Sequence, residues 1–165
     1  MTQPRPTAPP DRSPHEQAKL ETAIRQVFEQ LISFNRIIGV KVESLDASAP
    51  VLRFDMKQEL LGNFLYGRLH GGVIASALDT VAGLAIMCAI AQKHAHETTE
   101  QILQRFTRIG TVDMRTDYLH PGTGKHFVAT ASVNRLGGRI ASTQMRLEND
   151  GGQLIATGVG AYVIS

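Results

Sequence analysis

Apolar residues recur along the first part of the chain with the spacing of an α-helix, and then with that of a β-strand. Over 20–32 they fall three and four positions apart, which predicts one amphipathic helix. This helix starts at the capping sequence Ser13-Pro14 and ends near Asn35. Apolar and polar positions then alternate over 40–43 and 52–56, with turn-forming residues between them. The two segments are predicted to form a β-hairpin.

A second helix is predicted from about Gly71 to Gln92, and it is apolar on nearly every side. It is long enough to span a membrane, but Asp79 lies within it, where lipid makes a charge costly. The sequence therefore predicts a helix buried in a soluble core and no membrane association. Its small and polar residues share one face at helical spacing: Gly72, Ser76, Asp79, Thr80 and Gly83. This face borders a functional site or holds a structural carboxylate bound to nearby backbone.

The last part of the chain alternates as four strands separated by tight, glycine-rich turns. Strands joined by such short turns pair antiparallel. In the first of them, Val112, Met114, Thr116 and Tyr118 are predicted to share one face. A short helix is expected just before it, near Thr98. The resulting fold class is α+β: an antiparallel sheet of about six strands wrapped around a long central helix, plus an N-terminal amphipathic helix.

Length, charge and cysteine content narrow the class of protein. A chain of 165 residues is most simply one domain, predicted over 14–165, and the proline-rich 1–13 is predicted to be a disordered tail. A net charge of +2 without any long basic run argues against binding to nucleic acid. One cysteine, Cys88, excludes an internal disulfide and favours a cytoplasmic location.

Two features of the buried helix suggest chemistry, but they lie too far apart to meet within one chain. The start of the helix at Gly71-Gly72 presents backbone N–H groups that suit an oxyanion. Asp79 follows about two turns later, roughly 10–12 Å along the axis at 1.5 Å per residue. Two antiparallel copies of the helix would bring one chain's glycine amides to the other chain's carboxylate. The spacing therefore predicts a homodimer with two shared sites.

The segments "LHGGVIASALDT" and "RIGTVDMRTDYLHPG" carry a family resemblance. They resemble the hotdog-fold acyl-CoA thioesterases of the PaaI-like group and, within it, the YigI-type medium/long-chain enzymes. The resemblance implies a hotdog fold and hydrolysis of acyl-CoA to free acid and coenzyme A. It also implies that no cofactor is needed beyond the coenzyme A of the substrate. The assembly that it implies is a homodimer or a homotetramer.

The resemblance also implies catalytic roles for four residues of the chain. Asp79 matches the family's catalytic carboxylate, which acts as general base or as nucleophile on the thioester carbonyl. Gly71 matches the glycine whose N–H polarises that carbonyl. Thr111 matches a serine that positions the attacking water. Asn63 lies near the family's active-site asparagine, one residue further from His70 than in the family.

The remaining predicted site residues concern substrate binding: His70, Gly72, Ser76 and Phe64. His70 is expected to hold the loop and the helix start rather than to act as a base. No metal is expected, because the pair His94 and His96 is too weak a pattern to predict a metal site. Two other functions remain open, namely a non-catalytic acyl-CoA-binding protein and a hydratase or dehydratase on the same fold. The second would need a histidine paired with a carboxylate, which the sequence does not display.

Overall fold

The structure is a computed structural model, and it describes residues 10–165. Its helices are α1 (Pro14–Gln26), α2 (Ser33–Ile38), α3 (Gly71–Lys93) and α4 (Thr99–Phe106). Its strands are β1 (Lys41–Ser44), β2 (Val51–Asp55), β3 (Leu61–Asn63), β4 (Arg68–Leu69), β5 (Gly110–Tyr118), β6 (His126–Leu136), β7 (Ile140–Asn149) and β8 (Leu154–Val163). A π-helical turn, Val27–Leu31, lies between α1 and α2.

Six of these strands form one antiparallel sheet in the order β1-β2-β6-β7-β8-β5. Residues alternate along each strand between the two faces of the sheet. In β6, Phe127, Ala129 and Ala131 are buried on the inner face, against which α3 packs. The predicted α+β architecture, a sheet of about six strands around a long central helix, is confirmed. β3 and β4 form a separate small ladder just before α3.

The central helix α3 lies within the hydrophobic core of the protein. Within the described residues it is the one helix long and apolar enough to cross a membrane, but most of that apolar stretch is buried inside the protein. Leu78, Val81, Leu84 and Ile86 are completely buried. The prediction of a core helix is therefore confirmed. The predicted short helix also exists as α4, with a capping box between Thr98 and Gln101.

The prediction of one continuous N-terminal helix to Asn35 is wrong. The Ile32 N–H donates to Val27 O, which closes a π turn, and Ile32 then adopts an extended conformation before α2. This leaves the carbonyl of Phe28 without its helical donor. The buried Asn35 side chain supplies one, because its Nδ2 donates to Phe28 O at 2.9 Å. The apolar spacing could not reveal a break whose compensating donor comes from seven residues away.

The prediction that Val112, Met114, Thr116 and Tyr118 share one face of β5 is wrong for Val112, whereas the last three occupy alternate positions of a regular ladder. The pairing of β5 with β8 shifts by one residue between Thr111 and Asp113, which is a β-bulge. Val112 is 61% exposed and Tyr118 is 54% exposed, whereas Met114 and Thr116 are partly buried. β5 is an edge strand of the sheet, so its outer side has no neighbouring strand among residues 10–165.

Residues 1–9 of the predicted disordered tail lie outside the described residues. At the other end of that segment, the Arg12 guanidinium donates to the carbonyls of Ala91 and His94, at 2.6 and 2.8 Å. These carbonyls belong to the end of α3, where backbone acceptors lack helical donors. Arg12 therefore ties the beginning of the described chain to the central helix.

Candidate active site

Asp79 lies in the middle of α3, and two hydroxyl groups bind one oxygen of its carboxylate. Thr111 Oγ1 donates to Asp79 Oδ1 at 2.9 Å, and the Tyr162 hydroxyl donates to the same atom at 3.0 Å. Hydrogen bonds to a carboxylate offset the loss of solvation of a partly buried charge. Among the described residues no donor reaches Oδ2. One oxygen of the carboxylate is thus held in place, and the other is available for chemistry.

The sheet positions both hydroxyl donors. Thr111 on β5 and Tyr162 on β8 are opposite partners in the antiparallel ladder, so their side chains project from the same face of the sheet toward α3. Tyr162 is 1% exposed. Burial, together with the negative charge of Asp79, raises the pKa of the Tyr162 hydroxyl above its usual range. Tyr162 therefore stays protonated and remains a donor throughout the neutral and mildly alkaline range.

Tyr162 is not among the residues predicted from the sequence, whereas Thr111 is, through the family resemblance. The segment around Tyr162 carries no motif. The signal that identifies it is the register of β8 against β5, which the bulge after Thr111 shifts by one residue.

A cavity of about 280 Å³ opens beside the Asp79 carboxylate. It is lined by Phe28, Ile32, Phe34, Asn35, Ser76, Asp79, Thr80, Gly83, Phe106, Ile109, Gly110, Thr111 and Tyr162. Four residues of the predicted polar face of α3 line this cavity, and the prediction is confirmed for them: Ser76, Asp79, Thr80 and Gly83. Of the predicted site residues, the cavity contains Asp79, Thr111 and Ser76. The Ser76 hydroxyl donates to Gly72 O at 2.7 Å, so its hydrogen is already used within the helix.

The start of α3 holds a second group of predicted residues. His70 is the N-cap, and its Nδ1 accepts the Gly72 N–H at 2.9 Å. The ring is thus an acceptor at Nδ1, as expected of a residue that holds the helix start. The Tyr118 hydroxyl donates to Gly71 O at 3.0 Å. Since Gly72 N–H is already bound, Gly71 N–H is the glycine amide that has no acceptor among the described residues.

Asn63 ends β3, Phe64 follows it in the turn before β4, and neither residue lines the cavity beside Asp79. The Asn63 carbonyl accepts the Tyr66 N–H at the turn that connects β3 to β4. Phe64 is 79% exposed. The predicted residues thus form two groups within the chain, one around Asp79 and one at the start of α3, as the helical spacing required.

The histidines discounted as metal ligands have a third potential ligand in the structure. Potential ligand atoms of His94, His96 and Glu97 lie within 4.8 Å of one another. However, the Arg105 guanidinium donates to both carboxylate oxygens of Glu97. Arg105 holds the pKa of Glu97 below its usual range, while burial and Arg105 lower the pKa of His94. The carboxylate of this group is therefore already paired with a guanidinium.

Comparison with known proteins identifies the family to which this chain is similar. The profile of the family described as "Thioesterase superfamily" matches residues 66–156, which include β4, α3 and β5. The medium/long-chain acyl-CoA thioesterase YigI of Escherichia coli is 36% identical over 147 residues, which cover 87% of this chain and 95% of that protein. Human acyl-coenzyme A thioesterase 13 is 28% identical over 141 residues, covering 82% of this chain and 90% of that protein.

A solved structure matches the fold over nearly its full length. The crystal structure of a protein from Shewanella oneidensis related to the thioesterase superfamily superposes with a TM-score of 0.86. The two sequences are 37% identical, and the alignment covers 93% of this chain and 100% of that one. Both the fold and the sequence therefore point to the same family.

Proposed function

Because this chain belongs to the thioesterase superfamily and is a thioester hydrolase, we propose that it hydrolyses medium- and long-chain acyl-CoA thioesters to free acid and coenzyme A. The name of the YigI relatives supports the acyl-CoA class and the chain length. The observation that carries the proposal is the Asp79 carboxylate, with Oδ1 bound by two hydroxyls and Oδ2 open beside a cavity.

Asp79 supplies the group that activates the reaction. As general base, its Oδ2 accepts a proton from a water molecule while the water oxygen bonds to the thioester carbonyl carbon. The C–S bond then breaks, and the departing sulfur takes a proton to give free coenzyme A. As nucleophile, Oδ2 itself bonds to that carbon, the thiolate leaves, and water hydrolyses the resulting anhydride. Both routes use a carboxylate, an amide and water, so no cofactor is proposed beyond the coenzyme A of the substrate.

The Gly71 N–H of a second protomer is proposed to bind the carbonyl oxygen as negative charge develops on it. Hydrogen bonds of this kind, aimed at the developing oxyanion, contribute a large share of transition-state stabilisation. Within one chain, Tyr118 at the end of β5 contacts Gly71, whereas Thr111 near the start of β5 contacts Asp79. Gly71 and Asp79 are therefore held at opposite ends of the same strand, β5.

A homodimer joined along β5 would unite the two groups of residues. β5 is an edge strand of nine residues with exposed apolar side chains, among them Val112 and Tyr118. An unpaired edge of this length is a template for another strand, which proteins ordinarily cover. Antiparallel pairing of two copies of β5 about a two-fold axis places the two α3 helices antiparallel as well. Each site then combines Asp79 of one chain with Gly71 of the other. The location proposed for this dimer is the cytoplasm, because Cys88 is the single cysteine of the chain.

The experiment that tests the proposal measures thiol release from acyl-CoAs of graded chain length. Asp79→Asn keeps the size of the side chain and removes its basicity, so turnover should fall by about a hundred- to ten-thousand-fold. Asp55→Asn is the matched control, since Asp55 is an exposed carboxylate on β2, which three strands separate from β5. Turnover by Asp79→Asn equal to that of wild type would refute the catalytic role. Binding of acyl-CoA without any turnover by wild type would favour the non-catalytic binding protein.

A complementation experiment tests the shared site. Gly71→Pro deletes the amide hydrogen at the first helical position, where proline is well accommodated. His70 has φ −65° and ψ 135°, which suits a residue before proline, and a Cβ at position 71 lies 3.5 Å from the Tyr118 ring. Gly71→Pro and Asp79→Asn should each be inactive. When the two are unfolded together and refolded, heterodimers should restore about a quarter of wild-type turnover, because half the dimers carry one intact site. Persistent inactivity of correctly formed heterodimers would contradict the shared site.

A further inference from the structure

The tyrosine at the end of β5 contacts the first residue of the central helix. The Tyr118 hydroxyl donates to Gly71 O at 3.0 Å, although the two residues are 47 positions apart in the chain. The ring also packs against this glycine, since a Cβ built at position 71 would lie 3.5 Å from its nearest carbon. Tyr118 is more than half exposed, so water competes for its hydroxyl and the net contribution of this bond to folding is modest.

The start of α3 is the part of the helix whose backbone needs support from outside. The first N–H groups of a helix have no helical acceptor, and this helix begins with two glycines, the residues with the widest backbone freedom. The His70 ring binds the Gly72 N–H, and the His70 N–H donates to Leu60 O at 2.8 Å. Among the described residues, the side-chain hydrogen bond that reaches Gly71 comes from Tyr118.

The segment after β5 also supports the chain just before this helix. The Leu69 N–H donates to Gly122 O at 2.9 Å. A Cβ at position 122 would come within 2.9 Å of the Leu69 side chain, so glycine permits a close approach here. The Gly71 N–H thus lies between two contacts that the same segment provides, one from Tyr118 and one from Gly122.

β5 connects these contacts to the carboxylate. Thr111, near the other end of the strand, donates to Asp79 Oδ1 at 2.9 Å. Two hydroxyls of one strand therefore hold the two chemical groups, Thr111 the carboxylate and Tyr118 the glycine at the helix start. In the proposed dimer this strand pairs with its own copy. A shift of Gly71 relative to β5 would therefore move its N–H relative to the partner's Asp79.

We propose that Tyr118 is a positioning residue for hydrolysis: its hydroxyl fixes Gly71 so that the Gly71 N–H points at the thioester carbonyl beside the partner's Asp79. This inference rests on the proposed oxyanion role of Gly71 and on the shared site. The carbonyl that Tyr118 binds and the N–H belong to the same glycine, so the bond restricts rotation at its Cα. A donor stabilises an oxyanion best when it is aligned beforehand, and a displacement of about 1 Å can lower a rate about a hundredfold.

Tyr118→Phe tests the proposal, because it keeps the ring against Gly71 and deletes the hydroxyl. The kcat for decanoyl-CoA should fall by about five- to fiftyfold, less than the roughly hundred- to thousandfold typical of losing a whole oxyanion donor. KM should change by less than about twofold, and the melting temperature by less than about 2 °C, because the deleted group is exposed. Tyr66→Phe is the matched control: Tyr66 is also more than half exposed, its ring lies over the Arg68 guanidinium, and its variant should keep the wild-type kcat.

Heterodimers isolated with two affinity tags show through which chain Tyr118 acts. In the trans heterodimer, one chain carries Tyr118→Phe and the other carries Asp79→Asn. In the cis heterodimer, one chain carries both substitutions and the other is wild type. If Tyr118 positions Gly71 for the partner's Asp79, the trans form keeps one unaltered site, whereas the cis form keeps a carboxylate only at an altered one. Turnover of the trans form should therefore exceed that of the cis form by the same factor of about five to fifty.

The outcomes separate this inference from the proposed function. Equal turnover of the two heterodimers, a higher turnover of the cis form, or an unchanged kcat in folded Tyr118→Phe would each overturn the positioning role. Loss of the dimer in Tyr118→Phe would also overturn it, since Tyr118 would then be an interface residue. Full activity of Asp79→Asn or of Gly71→Pro would reject the proposed catalytic groups themselves, and the inference with them.

Discussion

Removal of the Tyr162 hydroxyl should reduce turnover without removing the catalytic carboxylate. Tyr162 is almost fully buried, and its ring fits against Gly160, where a Cβ would come within 2.8 Å of the ring. Tyr162→Phe keeps the ring in this position and deletes one of the two donors to Asp79 Oδ1. Thr111 then holds the carboxylate alone, so Oδ2 is less firmly oriented toward the reacting carbon.

The expected magnitude follows from the type of hydrogen bond. A hydrogen bond to a charged group contributes about 1.5–3 kcal/mol, and about 1.4 kcal/mol corresponds to a tenfold change in rate. If this energy is expressed in the transition state, kcat should fall by about ten- to a hundredfold. KM should change by less than about threefold, because the substitution keeps the ring and deletes only the hydroxyl that donates to the carboxylate. Thiol release measured over a range of substrate concentrations separates the two parameters.

A double-mutant cycle tests the same reasoning further. Thr111→Val removes the other donor to the same oxygen, so the combined effect with Tyr162→Phe should not equal the sum of the two single effects. Thr22→Val is the control for Thr111→Val, since the Thr22 hydroxyl is exposed and donates to Ala18 O within α1. An unchanged or higher kcat in a folded Tyr162→Phe enzyme would refute the orienting role.

Two further predictions concern other parts of the protein. Burial raises the pKa of the Cys88 thiol to about 12, so at pH 8 only about one thiol in ten thousand is ionised. Native enzyme should therefore resist iodoacetamide at pH 8 and react in urea; rapid alkylation of the native enzyme would contradict this. Val112→Lys places a charge on the exposed edge strand β5 and should yield inactive monomers in sedimentation. The control Val159→Lys, at a half-exposed position on β8 inside the sheet, should remain dimeric and active, and an equally active Val112→Lys monomer would contradict the shared site.

The helix that carries Asp79 could be predicted because its signals are local. The continuous apolar composition of 71–92 identifies a buried helix, and positions spaced by three and four residues necessarily share a face. For the same reason, the separation of Gly71 from Asp79 could be estimated from the rise of the helix. The break after Val27 could not be predicted, because it depends on a buried Asn35 side chain that replaces a helical donor. Apolar spacing alone gives no indication of where such a donor lies.

What the sequence determined by itself is the order of the six sheet strands and the buried helix, and the placement of a carboxylate on the polar face of that helix. These depend on periodicity and on residues close to one another along the chain. Only the tertiary structure decided which groups surround that carboxylate. Tyr162 reaches Asp79 through the register of β8 against β5, and Phe28 reaches the cavity through a helix break. Such contacts depend on strand pairing and packing between distant segments, which no local pattern specifies.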